Sequence, residues 1–182
     1  MARNTVSRSL HDLGLSAWFG GTLANAVALN PAAAAADSAS GTGAVANTGW
    51  DRWTPVNAVA IGAHLIGSVG QLQGNTGRIK AQEGVGSMVS VKTGLTVAAL
   101  GLTAYSRVLG RQVSEHTAVP VESGTSSTAS TPPAVAAAQS KLKLLQWAIP
   151  AVTGALVVVS AFAGEQERAS ETHRGVVKRL VG

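Results

Sequence analysis

Long uncharged runs constrain this chain more than any other feature of its sequence. Residues 13–36, 53–77 and 144–164 contain no Asp, Glu, Lys or Arg, and these runs are 24, 25 and 21 residues long. A helix that crosses a bilayer needs about 20 mainly apolar residues, with a range of roughly 17–25. The three runs therefore predict three membrane-spanning helices.

A fourth span is predicted from a shorter uncharged run of 14 residues between Lys92 and Arg107. Both flanking side chains have long apolar stems, so each can carry its charge to the membrane surface while the stem stays in lipid. We predict an all-α integral membrane protein, one membrane domain over residues 1–182 with four transmembrane helices in a bundle. The predicted spans are about 13–29, 56–72, 90–109 and 145–163.

Two other architectures were weighed against four spans. A soluble four-helix bundle needs polar positions on every helix, but between Ala151 and Ala163 the only polar residues are Thr153 and Ser160. The chain contains 13% charged residues, about half the usual share of roughly 25%. A cleaved signal peptide would also begin with basic and then apolar residues, but His11 and Asp12 interrupt that pattern.

The connections between spans are predicted from turn and cap residues. Pro31 disfavours helical geometry at the preceding residue, so we expect it to end the first span. Thr54 as N-cap and Pro55 at the first helical position are typical of the start of the second. Residues 114–133 are rich in Ser, Thr and Pro, which predicts a mobile, unfolded connection between spans three and four. Residues 165–182 are predicted to form a cytoplasmic tail.

Orientation follows from the basic residues, because cytoplasmic loops carry an excess of Lys and Arg. With the N-terminus inside, nine basic residues face the cytoplasm and five face the other side. Both termini are therefore predicted inside, with Ser126 outside. Arg outnumbers Lys by nine to five, and Ala, Gly and Val dominate, which is typical of a GC-rich bacterial genome. We accordingly predict a multi-pass protein of the bacterial plasma membrane.

Tryptophan residues lie near the predicted ends of several spans. Indole rings favour the headgroup layer of a bilayer. We therefore predict that all four tryptophans are interface anchors: Trp18, Trp50, Trp53 and Trp147.

His64 is the leading candidate for a functional residue. It falls near the middle of the second span, where an ionisable group is costly and often functional. A neutral imidazole could bind haem, a quinone or a metal, or pass a proton, while the alternative is a hydrogen bond that packs two helices. Gln71 lies on the same helix face, and the two residues are the predicted ligand or proton-path pair. No second histidine is predicted inside the membrane.

Small residues recur at four-residue spacing within the spans. Such pairs let helix backbones approach closely in lipid, where no hydrophobic effect drives association. Glycine and alanine are common throughout this chain, so some pairs arise by chance. The predicted packing positions are Gly62, Gly67, Gly94, Ala98, Ala151 and Ala155.

Several classes of function are disfavoured by what the sequence lacks. There is no cysteine, which excludes thiol nucleophiles and Cys-ligated metals. No phosphate-binding loop or hydrolase motif occurs, so we predict no catalytic residue and no metal site. The net charge of +5 is accounted for by basic residues at span ends, and few aromatics accompany them, so nucleic-acid binding is not expected.

The leading functional hypothesis is a non-enzymatic accessory or structural subunit, working with lipid and with other membrane subunits or copies of itself. No cofactor is predicted under this hypothesis. The alternative is an intramembrane small-molecule binder or redox accessory that uses His64 for haem, a quinone or a proton path. A transporter or channel is a further alternative.

Overall fold

The protein is almost entirely helical, which confirms the predicted all-α class. The computed structural model describes residues 4–115 and 119–165, together with Val177. The elements in chain order are α1 (Thr5–Ala24), a π-helical segment (Asn25–Leu29), α2 (Asn30–Ala33), α3 (Ala39–Gly74), α4 (Thr76–Ala81), α5 (Val85–Ser114), β1 (Val121–Ser123), β2 (Ser126–Ser127) and α6 (Pro133–Glu165).

Helical backbone runs through Pro31, contrary to the prediction that this proline ends the first span. Asn30 has φ −63° and ψ −44°, which is ordinary right-handed helix. A proline inside a helix lacks an amide donor and its ring crowds the carbonyl four residues earlier. Here the wider π-helical turns of Asn25–Leu29 come directly before it, and we attribute the accommodation of the ring to them.

Asn30 also links three helical segments. Its side-chain amide donates to Gln146 Oε1 at 2.9 Å, and its Oδ1 accepts from Trp50 Nε1 at 2.9 Å. The residue is 2% exposed, so both groups need partners inside the protein. These bonds hold α2 against α3 and α6.

The start of α3 differs from the prediction at Thr54 and Pro55. The helix begins at Ala39, and the hydroxyl of Ser38 caps it by accepting from the Gly41 amide at 3.0 Å. Thr54 lies inside the helix, where its hydroxyl donates to the Trp50 carbonyl at 2.8 Å. Thr54 and Pro55 are residues typical of a helix start. The residues before them are nevertheless helical, because they pack on α1, α2 and the β1–β2 hairpin.

The four long helices run alternately up and down. α1 packs antiparallel on α3, α6 packs on both α1 and α5, and α3 touches α5 over only a short stretch. The loose contact between α3 and α5 leaves cavities on both sides of it, and we call this region the α3–α5 seam. The first residues of α1 and the last turn of α6 lie at the same end, since Arg8 and Gly164 line one cavity.

The connection between α5 and α6 was predicted to be unfolded, but residues 119–133 are folded. β1 and β2 form a small antiparallel hairpin, and Thr131 and Thr128 both donate to the Pro120 carbonyl. Val119 and Val121 are buried in an apolar cluster with residues of α5 and α6. The segment is polar on average, so its composition gave no indication that these two valines would be buried. They supply the apolar surface that orders the segment.

Two of the long helices, α5 and α6, are long and apolar enough to cross a membrane by length and composition, among the residues that the structure describes. Only 11% and 22% of their most apolar stretches are buried inside the protein. A core helix of a soluble protein would be mostly buried, so these two helices favour membrane association.

Candidate functional site

Two histidines meet in the centre of the helix bundle. The ring centroids of His11 on α1 and His64 on α3 lie 4.5 Å apart, with the planes tilted by 47°. His11 is 1% exposed and His64 is fully buried. The indole of Trp18 packs on the other side of His64, at a centroid distance of 6.1 Å.

Glycine residues allow α1 and α3 to bring these rings together. A Cβ built on Gly14 would come within 3.0 Å of backbone atoms of Ala60 and His64. A Cβ built on Gly67 would do the same against the backbone of His11 and Ser7. The backbones therefore touch directly at both levels, and this close approach places the two imidazoles in contact.

The polar contacts of His64 are consistent with a neutral ring that carries its hydrogen on Nδ1. Its Nδ1 lies 3.4 Å from the His11 carbonyl oxygen, which can only accept, so Nδ1 carries the hydrogen. Its Nε2 lies 3.5 Å from Thr96 Oγ1, and the threonine hydroxyl can donate to it. Both distances are long for hydrogen bonds, so His64 is held more by packing than by its polar contacts.

His11 presents an unpaired nitrogen. Its Nδ1 donates to Asp12 Oδ1 at 2.7 Å, which leaves Nε2 as the acceptor of a neutral ring. That Nε2 is buried and has no hydrogen-bond partner among the described residues. A carboxylate on one nitrogen and a free lone pair on the other is the arrangement of a histidine that can accept a proton or a ligand hydrogen.

A polar cavity of about 360 Å³ adjoins His11. We call it the α1 cavity. Gln71 Nε2 and Ser160 Oγ lie in its wall and, like His11 Nε2, are buried without a partner among the described residues. Arg8 and Lys92 bring positive charge to the same wall. Asp12 also lines the cavity, so its wall carries a carboxylate beside the two cations, together with hydrogen-bonding side chains.

The arrangement does not resemble a metal centre. Within residues 4–115 and 119–165 there is no group of three or more His, Asp or Glu side chains placed to hold a metal ion. The histidine rings are also in direct contact, which leaves no room for a planar cofactor between them.

The sequence analysis proposed His64 and Gln71 as a ligand or proton-path pair and did not include His11. The first span was predicted to start at residue 13, which leaves His11 outside it, whereas α1 starts at Thr5. The signal that could have found it is the spacing of the buried residues of α1. His11, Gly14, Leu15, Trp18 and Thr22 recur at three- and four-residue intervals, so they form one helix face.

Trp18 was predicted as an interface anchor, but it is completely buried. Its Nε1 donates to Thr103 Oγ1 of α5 at 3.2 Å. Trp50 and Trp53 are half-buried and line the α3–α5 seam, where Trp53 covers Gly21 of α1. Trp147 is 51% exposed, and its role as an anchor stays a prediction.

The predicted packing positions divide into two groups. Gly67 lies against the backbone of α1, whereas a Cβ built on Gly62 or Gly94 would meet nothing within 4 Å. Gly62 is therefore not a packing position inside this chain, although the spacing predicted it. The other small residues are exposed on the outer faces of α5 and α6: Gly94, Ala98, Ala151 and Ala155.

Comparison of the chain with protein-family models, with curated proteins and with solved structures found no match.

Substitution of His64 separates a packing role from a chemical one. His64→Gln should be nearly silent for stability, because an amide can keep one hydrogen bond, and His64→Leu should cost about 1 kcal/mol in a membrane. Unfolding free energies in detergent measure both effects. Loss of a bound chromophore or of cellular activity in a folded His64→Gln protein would contradict the packing role.

Proposed function

We propose that this chain is a four-span integral membrane protein of the bacterial plasma membrane, with both termini cytoplasmic. It acts as a non-enzymatic accessory or structural subunit that associates with other membrane subunits or with copies of itself. The distribution of charge and of exposed apolar side chains on the four long helices carries this proposal.

Charged side chains gather at two levels of the bundle. At one level Asp12 and Lys92 line the α1 cavity, and at the other Arg107 of α5 pairs with Asp51 of α3 at 3.2 Å. Arg107 lies 15 positions after Lys92 on α5, which is about 22 Å at 1.5 Å per residue. With extended Lys and Arg side chains added, the uncharged belt approaches the ~30 Å thickness of a hydrocarbon core.

Large apolar side chains within this belt point outward on all four long helices. Leu13 of α1 is 71% exposed, Val59 of α3 is 73% exposed and Val97 of α5 is 63% exposed. The interior holds polar groups as well as apolar ones, including His64, Asn57 and Thr153. A soluble protein buries most of its large apolar residues, so the exposed ones on α1 and α3 support lipid as the surrounding solvent for these helices as well.

Association is supported by small residues on the outer faces. Gly94 and Ala98 of α5, and Ala151 and Ala155 of α6, are exposed at four-residue spacing. No helix within residues 4–115 and 119–165 covers these faces. In lipid, small residues at this spacing allow a helix of another chain to approach closely.

The apparent mass of the protein in mild detergent tests whether it associates with other subunits or with copies of itself. We expect the protein purified from its native host to elute well above its 18.3 kDa chain mass, after correction for bound detergent. Ala151→Leu and Ala155→Leu should shift it towards the monomer, since the bulky side chain blocks close approach. Ala161→Leu, at an exposed position about 100° around the same helix, is the comparison variant. A stable monomer that co-purifies with nothing and still performs its cellular role would end the accessory hypothesis.

Topology is tested with single cysteines in the chain, which has none of its own. Ser130 is exposed in the α5–α6 connection, and Gly77 is exposed in α4 at the opposite end. An impermeant maleimide added to intact cells should label Ser130→Cys and leave Gly77→Cys unlabelled until the cells are opened. The reverse pattern would invert the proposed orientation.

A second candidate function is the binding of a small molecule at the α1 cavity, with His64 and Gln71 as ligand-binding residues. Alternatively, the same two residues belong to a proton path. The unpaired, buried Nε2 of His11 favours it. Absorption spectra of protein purified from the native host provide the first test, because bound haem gives an intense Soret band. Quinone extraction into organic solvent and mass spectrometry cover the colourless case. Protein that carries neither, and whose His11→Leu variant retains full cellular activity, would reject this function.

A further inference from the structure

One of the cavities beside the α3–α5 seam lies next to α4, and we call it the α4 cavity. Its volume is about 500 Å³, within the roughly 300–1,000 Å³ typical of small-molecule sites. α3 and α5 form its two long walls, and α4 contributes to one end. Val69, Leu72 and Val97 line the cavity and are exposed. The cavity therefore opens sideways to whatever surrounds the bundle.

The part of the α4 cavity that lies deepest in the bundle is an apolar slot. Val97 and Leu100 of α5 line it together with Leu65 and Val69 of α3. Leu100 lies eight positions after Lys92, which is about 12 Å along a helix. The slot thus runs from the level of Lys92 towards the middle of the uncharged belt. Its length and its open side fit a hydrocarbon chain that lies parallel to the helices.

Lys92 places a positive charge at the start of this slot. Its Nζ has no hydrogen-bond or ion-pair partner among the described residues, and it is not one of the buried atoms that lack a partner. Asp12 attracts it electrostatically, but the Asp12 carboxylate lines the α1 cavity and accepts from His11 Nδ1 at 2.7 Å. Lys92 lines both cavities, and its stem is flexible. Its ammonium can therefore donate to an acceptor in the α4 cavity.

A second cation lines the α4 cavity near its α4 end. It is Arg78, whose guanidinium donates to Gln82 Oε1 at 3.0 and 3.1 Å. No Asp or Glu occurs among the described residues that line this cavity. Basic pockets between membrane helices on the cytoplasmic side are typical sites for anionic lipid head groups. The two cations beside an apolar slot complement a molecule with an anionic head and an apolar chain.

We propose that the α4 cavity binds an anionic glycerophospholipid of the cytoplasmic leaflet. Its phosphate accepts from Lys92 near Arg78, and one acyl chain lies in the slot along Val97 and Leu100. A free phosphate would leave the slot empty, and a phosphatidylcholine would bring its own cation beside two others. The site rests on the proposed placement of α3 and α5 in the bilayer, but not on association of the chain with other subunits.

The test uses two photoactivatable lipids, a phosphatidylglycerol and a phosphatidylcholine, with identical acyl chains that carry a diazirine and an alkyne. The full-length protein in phosphatidylcholine bicelles is irradiated with either lipid, and its labelled peptides are mapped by mass spectrometry. We expect saturable labelling of residues 65–72 and 93–100 by phosphatidylglycerol, at least about fivefold above phosphatidylcholine. One Lys or Arg near an anionic head group contributes about that factor. Excess unlabelled phosphatidylglycerol should remove the difference.

Four variants make the test specific. Lys92→Gln should lower phosphatidylglycerol labelling about fivefold and leave phosphatidylcholine labelling unchanged. Lys80→Gln removes the same charge from an exposed position of α4 that does not line the cavity, and it should change little. Val69→Trp fills the slot and should reduce labelling there by both lipids. Val59→Trp, at an exposed position of the same helix outside the cavity, should not.

The outcomes separate this site from the four-span proposal. Both lipids should label the exposed face of α3 around Val59 without saturation, because that face lies against lipid in the four-span arrangement. Such labelling without a preference for phosphatidylglycerol in the α4 cavity would overturn the lipid site alone. Equal effects of Lys80→Gln and Lys92→Gln would also overturn it, since the preference would then reflect only the surface charge of this end.

Two further results complete the test. Absence of α3 labelling by either lipid would contradict the span, and the lipid site with it. If Lys92→Gln does not fold, competition decides: unlabelled phosphatidylglycerol should remove the saturable labelling and unlabelled phosphatidylcholine should not. Equal competition by both unlabelled lipids would overturn the proposal.

Discussion

Val59→Asp should destabilise the folded protein by about 3 kcal/mol, because it places a carboxylate in the hydrocarbon core. Val59 is 73% exposed and lies near the middle of α3, between the level of the Arg107–Asp51 pair and that of Asp12 and Lys92. Translocon insertion scales assign roughly 2.5–3.5 kcal/mol to an acidic residue at the centre of a membrane helix. The free energy of unfolding, measured by SDS titration in bicelles, should fall by that amount.

Val45→Asp is the matched comparison, because Val45 is also an exposed valine on α3 but lies outside the uncharged belt. It should change stability by no more than about 0.5 kcal/mol, as is usual for an exposed surface substitution in water. If Val59→Asp is equally mild, α3 is surrounded by water and the four-span proposal is contradicted.

Gly14→Ala should destabilise the protein by about 2–3 kcal/mol, because a methyl group at this position meets backbone rather than a movable side chain. The built Cβ comes within 3.0 Å of Ala60 and His64 backbone atoms, so α1 and α3 must separate to admit it. Forced overpacking typically costs roughly 1–3 kcal/mol. Separation of the helices would also pull the two histidine rings apart.

Gly62→Ala, on helix α3, should change stability in the opposite direction to Gly14→Ala. A Cβ at Gly62 meets nothing within 4 Å, so the substitution should stabilise α3 by roughly 0.5–1 kcal/mol through its better helix propensity. Thermal unfolding of both variants in one detergent gives the comparison. Equal effects of the two alanines would contradict the close α1–α3 contact.

The helical class could be predicted from the sequence because uncharged runs are a property of the chain alone. The helix ends could not, since they depend on contacts between distant residues. Pro31 and Pro55 are both breakers by local rules, yet both lie in continuous helix, one after π-helical turns and one in a helix supported by its neighbours. The folded hairpin depends likewise on Val119 and Val121 reaching the α5–α6 core.

Half of the candidate site could be predicted. A histidine near the middle of a long apolar run is conspicuous, so His64 was found directly from the sequence. His11 was not, because the predicted first span began at residue 13, and because its contact with His64 depends on the backbone approach of a second helix at Gly67 and Gly14. Trp18 was misassigned for a related reason. It was judged by the usual preference of indole for the membrane surface, while Thr103 of α5 supplies a buried partner.

The most direct test of the four-span arrangement is to measure whether lipid or water surrounds one exposed position on each long helix. Spin labels at Leu13, Val59, Val97 and Val158 of the protein in liposomes can be compared for collision with dissolved oxygen, which concentrates in hydrocarbon, and with a nickel chelate, which stays in water. All four residues are more than half exposed and lie within the uncharged belt. We predict high oxygen and low nickel accessibility at all four positions. High nickel accessibility at Leu13 and Val59, with low values only on α5 and α6, would reduce the protein to two spans and contradict the proposal.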